Sequence, residues 1–307
     1  MTRLRLCTIM AIVAVLALAL IAAGCGDDEG GGSSEDAGAL LEKAFSAQVD
    51  SGDIKLDAKA EFDGIAQLSG PLTLSLEGPF KSDGPKDLPV LDWKIKAAGA
   101  GQEFAAGLVV TDDNAYVSYQ GESYEVGPEL FAQLKEQYAA QQPGDQPTLK
   151  SLGLDPTTWL EDPKIEDGED IGGDPTRAVT GSVDVEKVIR DFIALSNSDT
   201  FRKQLEAQGQ PLPDFEAPTD EEIEKVESQI DELTLEVNVD DNDIARRLLV
   251  QADFTVDDAN DGDIKGGTVS FGYVFNDVGI DPDVQAPADP RPLSELTQQF
   301  GGLLGGG

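Results

Sequence analysis

Residues 54–62 read IKLDAKAEF, and apolar and charged side chains alternate along the whole stretch. A period of two residues is typical of a β-strand with one dry face and one solvated face. The same alternation returns at residues 72–76, 91–97 and 104–110, and turn residues such as Asp63-Gly64 separate the repeats. Short consecutive strands joined by tight turns predict an antiparallel meander rather than parallel βαβ units.

Helical patterns interrupt this predicted meander. The stretches with helical spacing are residues 38–51, 128–138, 185–195 and 200–207. Thr219 and Glu222 form a capping box, which predicts that a further helix begins there. The alternation of strands then returns at residues 233–239, 244–256 and 267–275. Because an antiparallel sheet with one apolar face must bury that face, we expect the helices to pack on it.

The N-terminus has the features of an export signal. Arg3 and Arg5 precede an uncharged segment, residues 6–23, and Cys25 follows directly after Ala-Ala-Gly. This ending is similar to the bacterial lipobox, so we predict that residues 1–24 are a lipoprotein signal peptide. Cys25 is then the lipidation site, carrying an S-diacylglycerol and an N-acyl chain such as palmitate. The alternatives are an ordinary secretory signal with an incidental cysteine, or an uncleaved transmembrane anchor.

Acylation at Cys25 predicts a lipid-anchored protein on the extracytoplasmic face of the cell membrane. Two or three acyl chains hold such an anchor stably, whereas one chain holds it only marginally. Residues 25–37 contain the cysteine and an acidic, Gly-rich run that cannot bury a core, so they predict a flexible tether. Membrane contact is therefore expected through the acyl chains.

Acidic residues outnumber basic residues by 59 to 22, and the formal net charge is −37. Nucleic acid is therefore excluded as a partner, since phosphate binding requires a basic surface. Anionic headgroups would also repel the body of the protein, so we expect it to stand off from the membrane. We interpret the acidity as solvation rather than as a binding device.

The residue types needed for common chemistry are missing. Histidine is absent, which removes Ser-His-Asp triads, histidine bases and imidazole metal ligands. Cys7 lies within the predicted signal, so no cysteine nucleophile remains once Cys25 is acylated. The acidic turn at residues 257–263 has the glycine of a calcium loop, but Ala259 and Thr268 stand where ligands are required. We expect no enzyme, no metal site and no cofactor.

Several short motifs resemble a known family. Leu154-Asp155-Pro156, the strand at residues 163–166 and the segment DPTRAVTGSV at residues 174–183 are similar to those of the LppX/LprG-type bacterial lipoproteins. Residues 279–287 fit the closing step of that family loosely. The resemblance implies a LolA-like α+β fold, in which a strongly curved antiparallel β-sheet (a half β-barrel) has helices packed on its concave face. It implies one such domain at residues 38–288, followed by a C-terminal tail with a Gly-rich end at residues 289–307.

The family resemblance implies an apolar cavity that binds or ferries lipids or lipoglycans. The side chains predicted to line it are Leu56, Phe62, Leu74, Trp93, Ile95, Phe104, Leu108, Leu130, Phe131 and Trp159. The residue pattern is identical for a hollow that is filled and for one that is open. The alternative function is therefore an interaction or sensor module with a filled core, which engages another envelope protein. A third, weaker option is an acidic lipoprotein that buffers cations.

Overall fold

The computed structural model describes residues 36–65, 70–84, 86–140, 156–198, 219–256 and 264–304. The predicted signal peptide, Cys25, most of the tether, the helix predicted at residues 200–207 and the acidic turn at residues 257–263 lie outside them. Among the described residues, no helix has the length and apolar character needed to cross a membrane.

The chain consists mainly of strands. The strands are β1 (Ser51–Asp63), β2 (Leu72–Lys81), β3 (Val90–Gly99), β4 (Gln102–Val110), β5 (Ala115–Tyr119), β6 (Glu122–Glu125), β7 (Leu160–Asp167), β8 (Thr176–Val183), β9 (Ile230–Asp240), β10 (Ala245–Thr255), β11 (Gly266–Asn276) and β12 (Arg291–Pro292). The helices are α1 (Ala37–Ser46), α2 (Pro128–Ala140), α3 (Val185–Ser196), α4 (Asp220–Glu227) and α5 (Leu293–Leu304), with a 3₁₀ turn at Pro156–Thr158.

The strands belong to one large, mostly antiparallel sheet in the order β12-β6-β5-β4-β3-β2-β1-β11-β10-β9-β8-β7. β2 to β6 follow one another as antiparallel neighbours, which confirms the predicted meander. β12 pairs in parallel with β6. Within the described chain β12 and β7 end the order and do not pair with each other, so the sheet is open. The packing of helices on a concave face stays a prediction.

The chain divides into two units. The first comprises Met1–Gln48, Ala58–Pro71 and Pro147–Tyr273, and the second comprises Val49–Asp57, Leu72–Gln146 and Val274–Gly307.

The first unit has a closed apolar core. Val237 at the centre of β9 pairs with Val179 of β8 and Leu248 of β10, and all three side chains are fully buried. Helix α1 contacts β9 and β10 and buries Leu40 and Leu41. This helix ends at Ser46, five residues earlier than predicted, because the chain is already extended at its C-cap and continues into β1.

Within the first unit, a buried arginine joins the loop between β7 and β8 to β9 and β10. Arg246 occupies a β-bulge in β10 and is 2% exposed. Its guanidinium lies 3.2 Å from the buried Asp240 carboxylate and 2.7 Å from Asp174, and it donates to the Ile171 carbonyl oxygen. Because a buried charge requires partners, these three contacts fix both the loop and the arginine.

The second unit contains β2 to β6, α2, β12 and α5. Asn114, which is buried, accepts hydrogen bonds at Oδ1 from the backbone N–H groups of Ala115 and Gly127. These bonds tie the start of β5 to the start of α2, where Pro128 takes the first helical position as predicted. Helix α5 contacts β6 and buries Leu296, so the segment predicted as a C-terminal tail contains a strand and a helix.

Candidate functional site

The predicted ligand-lining side chains divide between the two units. Phe62 and Trp159 belong to the first unit, and the other eight belong to the second. Phe62 contacts the Phe254 ring at a centroid distance of 6.3 Å. Trp159 is 1% exposed, and Phe131 of α2 is 3% exposed. Their role in ligand binding stays a prediction.

Five of the predicted residues share one face of the second unit. Strand pairing places apolar side chains beside one another in rows, because successive residues of a strand point to opposite faces. The rows are Phe80, Leu91, Val110 and Ala115; then Trp93, Leu108, Val117 and Tyr124; then Leu76, Ile95, Ala106 and Tyr119; and finally Leu74, Ala97 and Phe104. We call this surface the apolar face and its last row the outer row.

The apolar face is buried at one end and exposed at the other. Leu91 and Ala115 in the first row are 4% and 6% exposed. Leu74 and Phe104 in the outer row are each 45% exposed. All the large apolar side chains that are exposed within the described residues belong to the second unit, and they are Leu74, Phe104, Leu130, Leu134 and Ile280. The first unit has no counterpart to this surface among its described residues.

Small side chains form the floor of a trough on the apolar face. Ala97 lies between Leu74 and Phe104 in the outer row, and Ala106 lies between Ile95 and Tyr119 in the row beside it. The rings of Phe104 and Tyr119 are 5.5 Å apart and form one wall. The alanines therefore leave space between the larger side chains of these two rows.

Trp93 places one polar group within the apolar face. Its Nε1 is enclosed by protein atoms and has no hydrogen-bond partner. The neighbouring position on β2 is Gly78, which has a φ of +141°. Glycine adopts this backbone conformation readily, whereas any other residue would be strained there. A side chain there would collide with the carbonyl oxygen of Asp92. Position 78 therefore cannot supply a side chain beside the indole.

Residues of β3 to β5 line a shallow depression, and two of them, Ile95 and Phe104, are predicted ligand-lining residues. Its volume is about 520 Å³. Its lining includes five charged or polar residues, Asp92, Lys94, Lys96, Glu103 and Ser118, together with Ile95, Phe104, Ala106 and Tyr119 of the apolar face. The two lysines alternate with Trp93 and Ile95 along β3, so the sequence pattern indicated only a solvated face. With two acids and two lysines among these five residues, the depression is locally balanced in charge.

Asp53 at the start of β1 is the one described carboxyl group of this unit with a clear perturbation. Partial burial raises its pKa, and the charges of Asp277 and Glu77 raise it further, while Lys94 opposes them. Within the described residues, no group of three or more histidine, cysteine, aspartate or glutamate side chains is arranged to hold a metal ion.

Comparison with known proteins gives structural neighbours and no sequence relatives. No family model matches the chain, and no curated protein matches it. Among solved structures, lipoprotein LppX from Mycobacterium tuberculosis is 11% identical, with a TM-score of 0.35, and covers 81% of this chain and 98% of its own. LprF from Mycobacterium bovis is 14% identical, with a TM-score of 0.36, and covers 82% of this chain and 97% of its own. These two neighbours are of the LppX/LprG lipoprotein type that the sequence motifs resemble.

Proposed function

We propose that this protein is a cell-envelope lipoprotein that binds the acyl chain of a lipid, lipoglycan or similar amphiphile on the apolar face. One observation supports this most directly. The outer row leaves Leu74 and Phe104 each 45% exposed beside a floor of alanine, although the same strands bury their apolar side chains at the other end. Soluble proteins rarely expose a continuous apolar surface unless it binds something.

Acyl binding on this face needs no catalytic group. The hydrophobic effect supplies the free energy, which is roughly 25 cal/mol for each Å² of apolar surface removed from water. A polar headgroup would remain in solvent beyond the outer row. The binding is therefore passive and reversible, as transport or chaperoning of a lipid requires.

The proposed anchor places the protein where lipids are exchanged. An acylated Cys25 would hold the body to the membrane through the acidic, Gly-rich stretch of residues 26–36. The tether lets the body reach both the membrane and an acceptor. Mass spectrometry of the tryptic N-terminal peptide tests this part: a diacylglyceryl and acyl mass on Cys25, lost in Cys25→Ser, is expected. An unmodified Cys25 in the membrane fraction would contradict it.

Native mass spectrometry of residues 26–307 tests lipid binding. This chain retains all the described elements, which lie between residues 36 and 304. We expect a phospholipid or acylglycerol to bind at one molecule per protein, and Phe104→Ser to reduce its occupancy. Glu103→Gln is the matched control, because residue 103 is next to residue 104 on β4 and successive residues of a strand point to opposite faces. A protein that stays free of lipid after incubation with mixed lipids would overturn the proposal.

A second candidate function is an interaction module for another envelope protein. Helix α2 exposes Leu130 by 44% and Leu134 by 39%, while Phe131 between them is buried. These leucines lie outside the apolar face and have the i, i+4 spacing of a helix contact. Photo-crosslinking in cells separates the two functions. Lipid adducts from position 104 favour the carrier, whereas a single protein adduct from position 134 without lipid adducts favours the module.

A further inference from the structure

We propose that the indole N–H of Trp93 selects acyl chains that carry a carbonyl oxygen along their length, away from the headgroup. This inference rests on the proposed binding of an acyl chain to the apolar face. It adds the chemical class of the ligand and a residue that determines specificity.

The two tryptophans of the chain differ in how their indole N–H groups are satisfied. The Nε1 of Trp159 donates to Asp191 Oδ2 at 2.7 Å. The Nε1 of Trp93 is enclosed by protein atoms but has no acceptor. Buried indole N–H groups usually have a partner, because an unsatisfied donor loses its hydrogen bonds to water without replacement. Trp93 therefore carries an unused donor within the proposed binding surface.

The surroundings of Trp93 favour an acceptor supplied from outside the chain. Its nearer neighbours in the row are Leu108 and Val117, whose side chains have no oxygen, and the hydroxyl-bearing Tyr124 lies at the far end of the row, three strands away on β6. On the other side, Gly78 cannot be replaced by a residue with a polar side chain, because of its backbone conformation. Since the indole nitrogen is enclosed in this structure, an acyl chain must part the half-buried side chains around it before an acceptor reaches it.

The position of Trp93 along β3 indicates where the ligand must carry its oxygen. Trp93 lies four residues from Ala97 in the outer row, which corresponds to roughly 13 Å along the strand. A headgroup left in solvent at the outer row is therefore too far away to reach the indole. The acceptor must belong to the chain itself, and a keto or ester carbonyl is the strongest uncharged acceptor that an acyl chain carries.

A series of oxo-stearates with the keto group at successive positions tests this inference, with unsubstituted stearate as reference. We expect one or two adjacent positions to bind the 26–307 chain roughly ten-fold more tightly than stearate. Trp93→Phe keeps an aromatic ring without the donor and should abolish this preference, while binding stearate as the unmodified chain does. The indole proton signal of Trp93 should move downfield with the preferred ligand, and that of Trp159 should not.

The outcomes distinguish this inference from the function on which it rests. If stearate binds but no keto position improves affinity, or if the preference survives in Trp93→Phe, the donor role is wrong and acyl binding stands. If neither stearate nor any oxo-stearate binds, both are wrong. The ligand series on the unmodified chain does not depend on the folding of the variant, and an unshifted Trp159 signal verifies that folding.

Discussion

Phe104 is the side chain through which the proposed acyl site can be tested with a calculated magnitude. Its ring is 45% exposed, and a phenylalanine offers roughly 200 Å² to burial, so a bound chain can cover about 90 Å² of it. At roughly 25 cal/mol per Å², that contact contributes about 2 kcal/mol. Phe104→Ala should therefore weaken acyl binding by about 30-fold. The folded state should lose less than at a buried position, because nearly half of Phe104 is exposed.

Titration of a fluorescent fatty acid into residues 26–307 measures this change. Glu103→Gln is the control, since Glu103 precedes Phe104 on β4 and points to the other face of the strand, so the affinity should stay within two-fold of the parent. Thermal unfolding of both variants checks that they fold alike. An unchanged dissociation constant for Phe104→Ala would refute the reasoning, because the outer row would then not contact the chain. Equal losses in both variants would refute it as well.

Three further predictions concern stability and are measured by urea unfolding. Leu235→Ala, at a fully buried position of β9, should cost about 3 kcal/mol, whereas Leu74→Ala in the outer row should cost under about 1 kcal/mol; equal costs would contradict the contrast between the units. Arg246→Met should cost about 3 kcal/mol by leaving the Asp240 carboxylate buried without its cation, and adding Asp240→Asn should recover part of it; no recovery would argue against the ion pair. Asp53→Asn should stabilise the protein at neutral pH, because a raised pKa in the folded state means that ionisation of Asp53 opposes folding. This gain should disappear as the pH falls through the raised pKa to below the unfolded value of 3.8, and a gain independent of pH would contradict it.

The strands could be predicted from the sequence because their signal is local. The alternation at residues 54–62 corresponds to β1, in which the apolar residues are half-buried and the charged ones exposed. The capping box of Thr219 and Glu222 is present at the start of α4, with both of its hydrogen bonds. A turn, a helix cap and a two-residue period each depend on a few neighbouring residues, so they can be predicted without knowledge of the rest of the fold.

The candidate site was only partly predictable, because it depends on the register of strand pairing and on which side chains other elements bury. Trp93, Ile95 and Phe104 were expected at a ligand surface, and strand pairing places them on one face. Ala97 and Ala106 were expected on the apolar side of their strands, but their position between larger side chains depends on cross-strand neighbours that the sequence does not give. Phe131 and Trp159 have the same apolar character as Phe104 but are almost fully buried, and no local pattern distinguishes these cases.

The contrast between the two units explains why one apolar pattern can serve two purposes. β9 and β4 both place apolar side chains on one face, yet Leu235 is 1% exposed and Phe104 is 45% exposed. In the first unit, α1 packs on β9 and β10, and the side chains buried there contribute to the free energy of folding. In the second unit, the exposed side chains of the outer row gain a comparable burial energy only when a ligand covers them. Substitutions in β9 should therefore change unfolding with little direct effect on ligand contact, and substitutions in the outer row should do the reverse. A variant such as Leu74→Gln that lowered stability as much as Leu235→Ala, without weakening lipid binding, would show that the exposed face belongs to the core.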